Sequence, residues 1–131
     1  SLMPYAPLGR GFLSGSIRSS SDLSEDDQRV MQPRFAQENI DQNIEKLGIL
    51  EEVAKEQGFK PAQVAIAWIL QQDENLVPIP GTKRTKYLNE NIRAVDLLLE
   101  KNDLDRLSDV FAIGETAGTR YPAGHMKLLG V

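Results

Sequence analysis

Ten consecutive residues, PAQVAIAWIL at 61–70, contain one polar side chain. Proline opens the run, and Val64, Ala65, Ala67, Trp68, Ile69 and Leu70 leave almost no polar face on the helix it predicts. A helix of that kind has to be packed on more than one side. The partners therefore have to come from the rest of the chain or from another molecule.

The amphipathic segment before it runs from Glu38 to Gln57, with Ile40, Ile44, Leu47, Leu50, Val53 and Ala54 recurring at three- and four-residue steps. Gly58 reads as its stop. Thr85 to Val95 predicts a further short helix, and Asn102 to Phe111 another, with Leu104, Leu107, Val110 and Phe111 on one stripe. Two short apolar stretches, Leu2 to Leu8 and Leu76 to Ile79, read as strands. Gly9 to Pro33 is a long loop rich in Gly, Ser and charge, with one helical turn expected after Ser24. The tail from Gly114 has no periodicity and is expected to lie across the surface.

Two strands separated by helices imply a parallel α/β arrangement with right-handed crossovers. Two parallel strands alone do not make a stable sheet, since both faces and both edges need cover. The expected architecture is thus mostly helical with two short parallel strands, either part of a larger α/β domain or a chain that completes its sheet by association.

Composition narrows the partners. With 131 residues, 40% of them hydrophobic, the chain is long enough for one core. A net charge of -4 opposes general attraction to nucleic acid or an anionic membrane. No apolar run is long enough to span a bilayer, and no signal peptide opens the sequence. The absence of cysteine excludes disulfides and thiolate chemistry and suits a reducing cytoplasm, the expected location.

The stretch VPIPGTKRTKYLNEN at 77–91 carries the chemistry. A strand that ends in Gly81-Thr82 and leads into a helix presents free backbone N–H groups at a positive helix end. Gly81 permits close approach, Thr82 offers a hydroxyl, and Lys83 and Arg84 add charge-assisted donors that suit a phosphate monoester. Glu90 and Asn91 lie six and seven residues beyond Arg84, where they can read neutral groups of a nucleoside. The alternative is that Thr82 caps the helix and the two basic side chains are merely solvated.

Three strings in order, PYAPLGRG at 4–11, PAQVAIAW at 61–68 and VPIPGTKR at 77–84 with Leu-x-Glu-Asn at 88–91, resemble the C-terminal part of an aldo-keto reductase. The resemblance extends to Pro33-Arg34-Phe35 with Glu38-Asn39 and to Gly-x-Arg-Tyr-Pro at 118–122, and is similar to the aldehyde-reducing bacterial, plant and fungal subgroup. It implies the C-terminal part of a (β/α)8 TIM barrel, the whole of 1–131 belonging to that one barrel domain, with Tyr5–Leu8 ending strand seven, Leu76–Pro80 as strand eight and an extra helix at 102–111. It also implies NADPH as cofactor and a small-molecule carbonyl as substrate. In such barrels sites lie at the C-terminal ends of strands.

On that resemblance Tyr5 stacks on the nicotinamide, and Pro7, Leu8, Gly9 and Arg10 pass along the pyrophosphate, mainly through backbone N–H groups. Thr82, Lys83 and Arg84 grip the 2′-phosphate, while Glu90 and Asn91 meet the adenine. The sequence departs from the aldose-reductase pattern at Gly81 and Tyr87, where that pattern has lysine and arginine; phosphate recognition shifts to Lys83 and Arg84, and Tyr87 is free to lie against adenine. Gly9, Gly11 and Gly15 would hinge a loop closing over the cofactor. The family's catalytic aspartate, tyrosine, lysine and histidine belong to earlier strands, and no residue here fills those roles; His125 and Lys127 sit in the tail outside that spacing. Two expectations of different class follow. One is the cofactor-holding part of an NADPH-dependent carbonyl reductase, and the other a non-enzymatic module that binds nucleotide weakly or self-associates through an exposed barrel edge.

Overall fold

The computed structural model describes residues 1–129. The apolar run at 61–70 forms α2 (Pro61–Leu70), seated against α1 (Gln37–Gln57), whose 21 residues make it the longest element. Pro61 opens α2 in its first turn, and the Gln63 side chain accepts a bond from the Lys60 N–H at 2.9 Å. Gly58 ends α1 at φ 71°, the left-handed stop its type favours, with its N–H returned to the α1 carbonyls.

Val64, Ala65, Ile66 and Ala67 of α2 are all buried, as a helix without a polar face requires. Val64, Ala65 and Ala67 pack with Leu47, Leu50, Val53 and Ala54 of α1, Leu97 and Leu99, and Leu107 of α4 (Lys101–Val110). Trp68 and Phe111 close this cluster at its rim, with the Trp68 indole N–H donating to Ser108 Oγ at 3.2 Å. Gln71 ties the segment between helices to α2: its amide donates to the carbonyls of Ala67 and Leu97, both at 3.1 Å, and its oxygen accepts from Leu99 N–H at 3.0 Å. A second cluster, Ile17, Leu23, Phe35 and Ile40, pins the long loop onto the start of α1.

The strand expectation needs correction. Leu2–Leu8 and Leu76–Ile79 do run side by side in parallel, but through two isolated bridges, Leu2 with Leu76 and Tyr5 with Ile79. Leu2 N–H donates to Asn75 O at 2.9 Å, Val77 N–H to Leu2 O at 2.9 Å and Ile79 N–H to Pro4 O at 3.3 Å. A continuous parallel ladder would next have residue 4 donate to residue 77, and residue 4 is proline, which has no N–H. Pro78 and Pro80 have the opposite parity to Val77 and Ile79 and leave this pairing untouched, so Pro4 is the residue that interrupts it.

Two helix boundaries also move. The short helix expected from Thr85 to Val95 is α3 (Thr85–Ile92), tightening into a 3-10 turn at Arg93–Asp96. After Ser24 there is a hydrogen-bonded turn and not a helix; helical geometry begins at Gln28–Met31 because Asp27, not Ser24, acts as cap, accepting from Arg29 N–H at 2.9 Å. Further 3-10 turns at Gly9–Ser14, Ser20–Asp22 and Pro33–Phe35 give the loop a defined path. The described part of the tail, 114–129, crosses the surface as expected and adds α5 (Ala123–Met126), and residues 130–131 of that expectation lie outside the described residues.

Asp27 provides a pH test of that path. The Arg29 guanidinium, at 2.6 to 3.2 Å, and the Arg29 N–H hold its carboxyl down at about 2. An acid depressed by folding adds stability above its ordinary value of 3.8 and loses it as pH falls towards 2. The unfolding midpoint of the native chain should therefore fall more steeply between these values than that of Asp27→Asn. Parallel slopes in a pH series of thermal melts would contradict the cap.

Candidate functional site

The parallel bridges send both strand segments towards the same end, where the turn at 80–84 and the loop beginning at Ala6 emerge together. The residues predicted for the two turns are thus brought to one side of the molecule.

At the first turn, residues 81–89 are all exposed. A methyl group built on Gly81 would meet nothing within 4 Å, so a ligand can approach its backbone closely. Thr82 does not cap α3. Its hydroxyl donates to Arg84 O at 3.2 Å and accepts from Arg84 N–H at 3.3 Å, bending the chain just ahead of the helix. Arg84 stands at the N-cap position with no side-chain cap, leaving the first N–H groups of α3 open beside Lys83 and Arg84. The Arg84 guanidinium lies 5.9 Å from the Tyr87 ring centre and Lys86 flanks that ring at 5.9 Å.

Glu90 takes a different role from Asn91. Six residues of helix are 240° of rotation from Arg84, against nearly two full turns for seven. Glu90 accordingly faces α2: its carboxylate pairs with Lys60 and its backbone carbonyl accepts from Gln63 Nε2 at 2.9 Å. Asn91 stays on the side of Arg84, partly exposed.

The second turn is built by strained backbone. Ala6 (φ 49°) and Arg10 (φ 58°) adopt left-handed conformations together with Gly9 and Gly11, which reverses the chain within a few residues. Pro7 is buried and lacks an N–H, and Gly9 N–H is already bonded to Ala6 O at 2.9 Å. The backbone donors of the predicted stretch therefore reduce to Leu8 and Arg10 among the residues expected to line an anion. The Arg10 side chain is fixed by Gln32 Oε1 at 2.6 Å and by the Arg120 carbonyl at 2.9 Å, and lies 4.7 Å from the Tyr121 ring centre.

These bonds reveal residues to which sequence reasoning assigned no role. Arg34 donates from Nε to Gly118 O at 3.2 Å, and Tyr5 and Tyr121 share a hydrogen bond between hydroxyls. That bond above all, and then Arg120 and Arg10, lower the Tyr5 pKa from its usual 10.0. A cavity of about 170 Å³ opens between Tyr5, Arg10, Phe12, Arg34, Phe111 and Arg120. The Gly-x-Arg-Tyr-Pro string was the available signal for this junction, but its partners are more than 80 residues away in the chain.

His125 and Lys127 are exposed in the tail. No helix among the described residues is long and apolar enough to cross a membrane.

Residues 1–111 match the model of the aldo/keto reductase family. The chain is 41% identical over 120 residues to the aldo-keto reductase yakc [NADP(+)] of Schizosaccharomyces pombe, covering 92% of this chain and 35% of that protein. It is likewise 41% identical over 128 residues to the probable aldo-keto reductase 1 of Glycine max, covering 94% and 35%. The aldo-keto reductase str7 of Strobilurus tenacellus is 33% identical over 91% of this chain and 35% of its own length. The chain thus spans about a third of the length of these curated relatives. The family match over most of the chain agrees with the motifs at the two turns: the chain belongs to the aldo/keto reductase family.

Proposed function

We propose that the chain is the cofactor-holding, C-terminal part of an NADP(H)-dependent oxidoreductase that reduces aldehydes and ketones to alcohols. The observation that carries this reading is the turn at 81–84, where an unobstructed glycine, a hydroxyl, two cations and an uncapped helix start lie together. Such a donor set fits a phosphate monoester far better than a neutral ribose hydroxyl. The name of the Schizosaccharomyces pombe relative, which includes NADP(+), supports the same cofactor. When bound, NADPH supplies a hydride.

The residues of this chain bind and orient. Lys83 and Arg84, with Thr82, take the 2′-phosphate, and Tyr87 and Asn91 border the adenine. Glu90 supports the site from behind by fixing Lys60 and α2. Leu8 and Arg10 offer backbone N–H groups to the pyrophosphate, and Tyr5 stands at the nicotinamide end. The two bridged segments act as strands seven and eight of a TIM barrel, whose earlier strands carry the proton donor set. Leu2 and Met3, each 66% exposed, and Val77 and Ile79, each 50% exposed, favour a covering surface for this pair, either that barrel or a second copy of the chain.

Arg84→Ala tests the reading. Losing a hydrogen bond to a charged group costs about 1.5–3 kcal/mol, a roughly 10- to 100-fold weakening of NADPH binding by calorimetry, with NADH nearly unaffected. Equal losses for the two cofactors would show that Arg84 does not read the 2′-phosphate.

A further inference from the structure

Apart from Arg84 of the turn at 81–84 and Arg93 just after α3, the arginines of this chain fall into two groups. Arg18 pairs with Glu51, Arg29 with Asp27, and Arg106 with Glu52, Glu56 and Asp103. Arg10, Arg34 and Arg120 converge on one cavity, and among the described residues none of them has a carboxylate within 4.0 Å. Their neighbours are neutral: Gln32 and the carbonyl of residue 120 for Arg10, and the carbonyl of residue 118 for Arg34.

Each guanidinium has five N–H donors, and these bonds use few of them. The Nη groups of Arg34 have no hydrogen-bond acceptor among the described residues, and the Arg120 head meets no carboxylate there, lying 6.0 Å from the centre of the neutral Tyr5 ring. Burial, followed by the charges of Arg120 and Arg10, pushes the Arg34 pKa down. Like charges gathered in a partly desolvated hollow repel one another unless an anion stands between them.

The walls limit what that anion is. Phe12, Leu13, Phe35 and Phe111 line the rest of the cavity, which at about 170 Å³ lies below the roughly 300 Å³ at which drug-sized pockets begin. A small organic acid, with its carbon chain on the phenyl rings and its carboxylate on the guanidinium forks, satisfies both halves. Pyrophosphate, heavily hydrated and without carbon, satisfies only one.

We propose that Arg34 and Arg120, with Arg10 beside them, bind the carboxylate of the carbonyl substrate, so that the substrate class is a short aldehyde or ketone acid. This rests on the carbonyl-reductase reading, which places Tyr5, on the rim of the same cavity, next to the reacting end of the cofactor.

The test is a titration of the full chain with butanoate, following the Nε–Hε resonances of the arginines by NMR, with butan-1-ol and inorganic pyrophosphate as separate arms. Butanoate should shift Arg34 and Arg120 saturably, butan-1-ol should not, and Arg120→Gln should weaken butanoate at least tenfold. Arg120 makes no ion pair among the described residues, so this substitution breaks no salt bridge and removes only the guanidinium 6.0 Å from the Tyr5 ring centre. Absence of saturation, equal shifts from butan-1-ol, or unchanged affinity in Arg120→Gln would overturn the proposal. Tighter binding of pyrophosphate than butanoate at these arginines would overturn it too, assigning the cluster to the cofactor. A parallel titration with 2′,5′-ADP separates the two readings: its failure counts against the site at 82–84 alone, and its success alongside failure of butanoate counts against the carboxylate site alone.

Discussion

Leu47→Ala is expected to lower the unfolding free energy by about 2–5 kcal/mol, the range for truncating a buried leucine that leaves a cavity. Leu47 is 0% exposed, lies midway along α1 and packs in the cluster shared with α2 and α4. Its neighbours belong to helices already held by α2, so they have little freedom to collapse into the space. Leu98, 81% exposed between two buried leucines, is the internal control, and Leu98→Ala should change stability by less than about 0.5 kcal/mol. Urea unfolding of both variants decides the matter. Similar midpoints would mean that the helical cluster is not where this chain keeps its stability.

Gly118→Ala should be nearly as damaging, for a different reason. Gly118 has φ 79°, and an added Cβ would stand 2.7 Å from Asn39 Nδ2 and 2.9 Å from the Arg34 backbone. The conformation alone costs a residue with a side chain about 1–3 kcal/mol, and the backbone neighbour cannot swing aside as a side chain would. Relief requires the tail to lift. That movement would break the paired bonds of Asn43 with Ala117, at 3.1 and 2.9 Å, and the Arg34 bond to residue 118. Limited proteolysis should therefore cut between 114 and 129 much faster in Gly118→Ala, while Gly124→Ala, with open space around it, should remain as resistant as the native chain. Equal cleavage of the two variants would show that the close approach at Gly118 does not hold the tail.

What was legible in the sequence was local. The steps from Ile40 to Ala54 and the stop at Gly58 identified α1, because a helix writes its buried face at fixed spacing. The apolar character of residues 61–70 foretold burial on several sides for the same reason. The strand segments were found but their pairing was overstated, since apolar character marks a strand while the proline at 4, which has no N–H to give residue 77, governs the ladder. In the site, the open turn at 81–84 followed from type and order of residues, whereas Glu90 turned towards Lys60 because helix rotation, not residue count, decides which side a side chain takes. Arg34 and Arg120 received no role because their meeting depends on the tail returning to the loop, a contact spanning most of the chain that no periodicity encodes.

Two further prolines decide how the bridged pair can meet other molecules. Alternation along a parallel strand turns residues 78 and 80 to the outer edge of the 76–80 segment, and both are proline. That margin can accept hydrogen bonds through its carbonyls but has no N–H at either position with which to return them. Two copies laid margin to margin would find acceptors facing acceptors. An apolar segment half open to water, of the kind that elsewhere seeds fibrils, is here chemically deaf to its own image.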